Sequence, residues 1–460
     1  MIQTANIPKL NKVLVIGINP ANTKMVEVMA KANPTVQFDY ATAFEITNIN
    51  LPNVKLIYMD LYYNTQPTIV TKDNNSTIVE TANKTAFVGF FFWLQNFLNS
   101  NIENYDFVVA TYIHLQLSDW FQRFKSRRPI FCPDMASARL EEDKLFTKHL
   151  LSDIGIPTPN FTVLDNDNII EQLDSKSFPI VVKTNAMAGP LGTWVFTDDL
   201  YKTEVPRLIS RLPNFFKNPH APSPTVYTED FVKGPEISAH FLCNGTSWKY
   251  VGSARDYKKN FDNDTGPNTN GTGCYSPVEY FTEDIQLKVF SYMDKIMSYL
   301  NNMAVYFKGF MYLGIILDSN NNPYVLEINT RPGTPEILTI LDTVDNSNLL
   351  ENLYLAATGQ DLLDIVPTNS CSVAVGLMNK IFPVPEGGNR LFYSDKPNIT
   401  SVPKELSFYE HCSIFIGQTC SGFVTNTALS REEASNTIYK YLNTVEMNDF
   451  RYRTDIGLLK

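Results

Sequence analysis

In the segment YVLEINTRPGTPE, residues 324–336, a carboxylate and an amide stand two residues apart, and a guanidinium follows two residues later. Side chains alternate along an extended strand, so Glu327 and Asn329 share a face, with Val325 expected beside them and Leu326 and Ile328 opposite. Two hard oxygen donors at this spacing suit Mg2+, which binds through few protein groups and completes its shell with substrate phosphates. Arg331 keeps to the same side, where a fixed planar cation can meet a transferring phosphoryl group. Lys183, at the end of the apolar run PIVVK (179–183), is a second cation at a strand end, with the small-residue loop AMAGPLG beyond it as a cover. Each feature alone has a plainer reading, a strand with a wet face or a solvated lysine. Together they favour a nucleotide site.

The elements that position these groups alternate between strand and helix, the pattern of an α/β protein. KVLVIGINP (12–20) is a short apolar run ending in Gly and Pro, like the first buried strand of a doubly wound sheet, and YDFVVATY (105–112) repeats it. They suggest an amino-terminal open-sheet domain over 1–134. SARLEEDKLFTKHLLSDIG (137–155) reads as one helix stopping at Gly155 and opens a second unit, 135–367, with a mobile lid at about 150–227. DSNNNP supplies the turn of a hairpin over 312–328, and Asp318 is there for turn geometry. A strand-rich segment with the helix SREEASNTIYKYLNTV forms a smaller carboxy-terminal domain, 368–460.

Composition narrows the function classes. The chain has 460 residues, 44% of them hydrophobic, enough to fill real cores. A net charge of -10 and a pI near 5.1 argue against nucleic acid as a partner. No apolar run is long enough to span a membrane, and TAFVGFFFWLQNFL (85–98) reads as a buried helix, or else a dimer face. The six cysteines, at 132, 243, 274, 371, 412 and 420, show no metal-ligand spacing. Reduced thiols in a cytoplasmic protein, monomer or homodimer, are the expectation. The histidines at 114, 149, 220, 240 and 411 likewise lack ligand spacing.

The motifs ARLEEDKLFTK (138–148), PIVVK, TEDFVKGPEIS (228–238), SARDYKKNFDNDTGPNTNGTGCYSP (253–277), VLEINTRPGTPE (325–336) and YRTDIG (452–457) carry a resemblance. In order and spacing the chain resembles the phosphoribosylamine-glycine ligases, members of the ATP-grasp superfamily. That resemblance implies an ATP-grasp fold with an amino-terminal open-sheet (pre-ATP-grasp) domain and ATP-dependent joining of a carboxylate to an amine through an acyl phosphate. It implies that Lys144 and Lys183 hold ATP phosphates, that Glu229, Phe231, Val232 and Glu236 receive adenine and ribose, and that Glu327 and Asn329 hold Mg2+, with Mn2+ as a substitute. Arg331, Lys258 and Asp264 are the implied catalytic groups, and Thr265, Gly266, Asn268 and Thr269 shape the acceptor side. The partners implied are small molecules, an amino acid and an amine acceptor.

Several positions depart from the family pattern. GINPANTK follows the first strand where the family has GGREHA, and ATYIHLQL replaces a segment with GPE. The lid reads MAGPLG for AAGKG, so a lysine has become Leu191; Thr334 stands for Asp in GTPE, and NKIFP (379–383) replaces a glycine pair. These changes fall more on the acceptor side than on the ATP side. They admit a ligase with a changed amine acceptor or amino acid, and a nucleotide-binding homologue without turnover.

Overall fold

The computed structural model describes residues 7–43, 49–58, 89–185, 192–199, 201, 205–206, 208–209, 212, 225–380, 399, 402–410, 420–448 and 450–458. Leu191, His220, His411, Cys412, residues 186–191 of the lid loop and the last three residues of NKIFP lie outside the described residues.

Five parallel strands form the first sheet: β1 (Lys12–Ile16), β2 (Gln37–Thr42), β3 (Val54–Tyr58), β4 (Phe107–Ala110) and β5 (Ile130–Phe131), in the order β3-β2-β1-β4-β5. A parallel sheet covered on both faces needs apolar residues at every position, which explains the unbroken VLVI of β1. Val13 and Val15 enter one core, and Leu14 and Ile16 enter another. The helix over 89–101 feeds the second core with Phe90, Leu94 and Leu98, while Phe92 is 67% exposed. The expected buried helix is therefore buried along one stripe of four-residue spacing, because a helix resting on a sheet hides one face only.

A second sheet, antiparallel, joins β6 (Phe161–Val163), β7 (Ile180–Thr184), β8 (Thr193–Phe196) and β9 (Val226–Asp230) in the order β6-β9-β7-β8. The largest sheet begins with β10 (Glu236–Asn244), β11 (Trp248–Asp256), β14 (Gly273–Ser276), β15 (Lys308–Leu317) and β16 (Pro323–Asn329), with the short pair β12 (Lys259–Phe261) and β13 (Thr265–Asn268) looping out between β11 and β14. It runs on through β17 (Cys371–Asn379), β19 (Gly422–Ala428) and β18 (Leu406–Glu410), and β20 (Phe450–Arg451) pairs with β17. One side is covered by the helix Glu283–Asn302, whose Ile285, Val289, Met293, Ile296 and Leu300 share a core with β10, β15 and β16.

Two local expectations change. The segment 137–155 is two helices, Met135–Glu142 and Lys144–Asp153, because Asp143 leaves helical geometry at ψ 86° and turns its carboxylate to cap the Phe146 N–H at 3.0 Å. The alternation along β16 is also broken. Gly314 pairs with Glu327 but Ile315 pairs with Val325, a bulge that leaves Leu326 unmatched. The extra residue reverses the parity, so Val325 joins Ile328 in the core and only Glu327 and Asn329 keep the opposite face. The hairpin turn is as expected, with Asp318 accepting from the N–H groups of Asn320 and Asn322 at 2.8 Å each.

Candidate active site

Three lysines and two carboxylates converge where the second sheet faces the end of β16. Glu229, on β9, is buried between Lys148 and Lys183, each ammonium 2.8 Å from one carboxylate oxygen. Burial would push the Glu229 carboxyl up, but the two lysines outweigh it and hold its pKa low. Lys144 opens its helix, where a cation opposes the helix dipole. Burial lowers its pKa further, and Glu327 is the main influence that restores its charge. Glu327 itself is kept ionised, since burial is outweighed by Lys258, Lys144 and Lys183 and its carboxyl falls to about 2. Sequence reasoning gives Lys148 no role, yet it is among the most buried side chains and also donates to Thr158 at 2.7 Å. Its place four residues after Lys144, on the same helix face, is the signal that could have found it.

The residues after β16 are fixed from the amino-terminal sheet and its neighbours. Glu141 accepts from the Thr330 N–H at 2.9 Å and from Arg331 Nε at 2.9 Å. Gln116 exchanges two hydrogen bonds of 2.8 Å with Thr330. Arg331 is thereby aimed, and although burial would lower its pKa, Glu141 keeps it above the usual arginine range. Next to it His240 accepts from the Gly333 N–H at 3.0 Å, as a neutral imidazole that burial has pushed down to about 3. Cys274 packs, with Sγ 3.3 Å from the Thr339 hydroxyl.

Glu327 and Asn329 fit a cation that arrives with phosphates. Asn329 is buried beside Glu327, close enough for its amide to help hold that carboxylate ionised, and the two ends of an amide are interchangeable by a flip, so the group can turn its oxygen toward a metal there. Among the described residues no cluster of three or more His, Cys, Asp or Glu side chains forms a closed metal cage. An open, two-donor arrangement is what Mg2+ shared with a nucleotide requires.

The remaining candidates divide into two groups. Phe231 and Val232 follow β9 in a segment that crosses the end of β15 so closely that a Cβ on Gly234 would lie 1.7 Å from the Leu317 carbonyl oxygen. Glu236 pairs with Lys258 at 2.9 Å, and Thr269 is buried with its hydroxyl on the Lys258 carbonyl at 3.0 Å. Lys258 acts on Glu327 and so links Glu236 and Thr269 to the lysine cluster. Asp264, Thr265 and Gly266 instead form the exposed tip of the loop, with Asn268 half-buried behind them. The Asp264 carboxylate is engaged by Arg255 at 3.2 Å and Arg453 at 2.9 Å. Gly266 is required to be small, since its φ is +81° and a Cβ would meet the Phe261 ring at 2.5 Å.

The low pKa of Glu327 has a thermodynamic consequence. Its folded value lies below the ordinary 4.5, so the stabilisation is present above about pH 4.5 and is lost as pH falls toward 2. The loss is on the order of 3 kcal/mol. Urea unfolding of the nucleotide-free protein between pH 5 and about 3 should show this slope, and Glu327→Gln should flatten it.

This arrangement, with a small antiparallel sheet over a larger one and phosphate-ready cations between them, is the ATP-grasp fold. Residues 142–337 match the family model described as phosphoribosylglycinamide synthetase, ATP-grasp (A) domain. The chain is 33% identical over 234 residues to the phosphoribosylamine-glycine ligase of Leptospira interrogans, covering 50% of this chain and 54% of that protein. With the ligase of that name from Thermotoga maritima it shares 28% identity over 348 residues, 72% of this chain and 81% of the other. The match thus spans about half the length of the Leptospira protein and four-fifths of the Thermotoga one. The crystal structure of the Thermotoga protein superposes with a TM-score of 0.69 at 20% identity, covering 96% of this chain and 99% of that one. The biotin carboxylase domain of Hydrogenobacter thermophilus 2-oxoglutarate carboxylase, solved with MgADP, gives 0.63 at 15% identity, covering 97% and 92%. The chain is similar to the phosphoribosylamine-glycine ligases and has the ATP-grasp fold. No helix among the described residues is long and apolar enough to cross a membrane.

Proposed function

We propose that the chain is an ATP-dependent carboxylate-amine ligase, with glycine and phosphoribosylamine as its substrates and glycinamide ribonucleotide, ADP and phosphate as products. The observation that carries the reading is the gathering of cations about two carboxylates: Lys144, Lys148 and Lys183 converge on Glu229 and Glu327, with Lys258 also acting on Glu327 and Glu141 on Lys144, an arrangement suited to a phosphate chain. Lys144 and Lys183 hold the phosphates, and Lys148 stiffens Glu229 beneath them. The backbone of Phe231 and Val232 meets the adenine edge, and Glu236 receives the ribose. Glu327 and Asn329 would hold Mg2+, which would supply charge neutralisation to the phosphate chain.

A carboxylate oxygen of glycine attacks the γ-phosphorus and ADP leaves with the bond electrons. The amine nitrogen then attacks the acyl carbon, phosphate departs, and the nitrogen gives up a proton. Arg331 steadies the negative charge in transit, and no protein nucleophile is needed, because positioning and charge neutralisation do the work. Closure of the segment around Lys183 over the site protects the acyl phosphate from water.

A second reading keeps the chemistry and changes the amine. Asn22 is fully buried where GINPANTK turns into its helix, donates to Thr111 at 2.7 Å, and puts its Cγ 2.0 Å from where a Cβ on Gly17 would be. Such a turn between β1 and β4, at a helix N-terminus, is where an open sheet would seat a phosphate, and here a side chain fills it. The two readings separate in one assay of ADP release from MgATP: glycine with freshly made phosphoribosylamine, beside glycine with unphosphorylated amines. Release that needs phosphoribosylamine supports the first, release with another amine alone supports the second, and silence throughout rejects both.

A further inference from the structure

Two consecutive non-glycine residues in the acceptor loop, Asn263 and Asp264, have φ of 60° and 51°. Asn and Asp tolerate the left-handed region better than most residues, but it remains costly, and such a shape persists only where its surroundings over-determine it.

Those surroundings are residues 451–457. The Arg453 side chain has no exposed surface, and its guanidinium donates to the Lys259 carbonyl at 2.8 Å, to Asp264 at 2.9 Å and to Asp455 at 2.8 and 2.7 Å. It also lies 4.9 Å from the centre of the Tyr257 ring. Asp455 accepts from the Asn263 N–H at 2.9 Å. Thr454 gives Asp262 its N–H at 2.9 Å and its hydroxyl at 2.5 Å, and Arg451 donates to the Asn260 carbonyl at 2.9 Å. The segment is itself anchored, since Ser435 and Tyr439, on the helix Arg431–Leu442, donate to the Ile456 carbonyl at 3.2 and 3.1 Å.

We infer that Arg453 is a positioning residue for the amine step: it clamps the strained tip of the loop so that Lys258 and Thr269, at the loop's base, face the incoming amine. The route is short. Thr269 closes the base through the Lys258 carbonyl, and the Lys258 ammonium sits on Glu236 and acts on Glu327. The lysines that hold phosphates are on other elements, so the clamp should matter for the amine and leave ATP binding alone. This inference rests on the ligase reading above.

The test uses the full chain with Arg453→Lys, which keeps the charge and loses the planar fork. KM for phosphoribosylamine should rise about tenfold or more while KM for ATP stays within about twofold. Trapping of the acyl phosphate by hydroxylamine, an acceptor too small to need the loop, should be unchanged. Arg453→Ala should regain part of its amine affinity when guanidinium chloride is added at concentrations too low to unfold the protein. Where Arg453→Ala does not fold, Thr454→Val, which removes one bond of the clamp, should raise the same KM in the same direction by a smaller factor. A parallel rise in both KM values, or an unmoved amine KM in a folded variant, overturns the inference and leaves the ligase reading standing. Absence of hydroxamate in the wild type overturns both.

Discussion

Replacing Glu327 by Ala should abolish ADP formation, with kcat falling by a factor of about 10³ or more while circular dichroism still reports a folded chain. The side chain does two things. It is the carboxylate of the two-donor metal site proposed on β16, and it balances Lys258, Lys144 and Lys183. Its removal leaves Lys258, Lys144 and Lys183 without a carboxylate that offsets all three, so binding of the phosphates should persist or tighten even as turnover is lost. Lys183→Ala should lose ADP formation as well, but with weakened ATP binding, because here an ammonium proposed to meet the phosphates has gone and Glu229 loses one of its two ion pairs. Nucleotide affinity and single-turnover ADP formation, measured on both variants, separate the two. Normal turnover in either variant would place the chemistry elsewhere.

Arg331→Lys should cost about 10²-fold in kcat with little change in KM for ATP. The guanidinium is held by Glu141 through Nε, which leaves its terminal nitrogens for the role proposed for them at the phosphoryl group, and an ammonium on a flexible stem cannot satisfy both. Glu141→Gln should give a smaller loss in the same direction, since Thr330 and Arg331 would then share a weaker acceptor. A loss confined to KM would mean that Arg331 binds substrate equally in the ground and transition states.

The strand that carries Glu327 and Asn329, and the cation after it, were legible because everything they need is local: an extended run, two oxygen donors on one face and a Pro-Gly stop. The bulge at Leu326 was not, because the register of β15 on β16 depends on the partner strand, where Gly314 offers no side chain against Glu327. Lys148 was invisible for a similar reason. A lysine in the middle of a helix reads as solvated, and its burial depends on a carboxylate far along the chain, on β9. The break at Asp143 follows from a cap, which competes with helical continuation on energies too close for a periodicity argument to resolve. The loop over 253–277 could be matched to a family motif, but what holds its left-handed tip is a segment almost two hundred residues later in the sequence.

The central claim is that a carboxylate oxygen, not water, takes the γ-phosphoryl group. The most direct measurement supplies glycine labelled with oxygen-18 in its carboxylate, together with MgATP and phosphoribosylamine, and determines the isotope content of the phosphate released. An acyl phosphate requires that one labelled oxygen per turnover pass from glycine to phosphate. Unlabelled phosphate, or release that does not depend on glycine, would contradict the account.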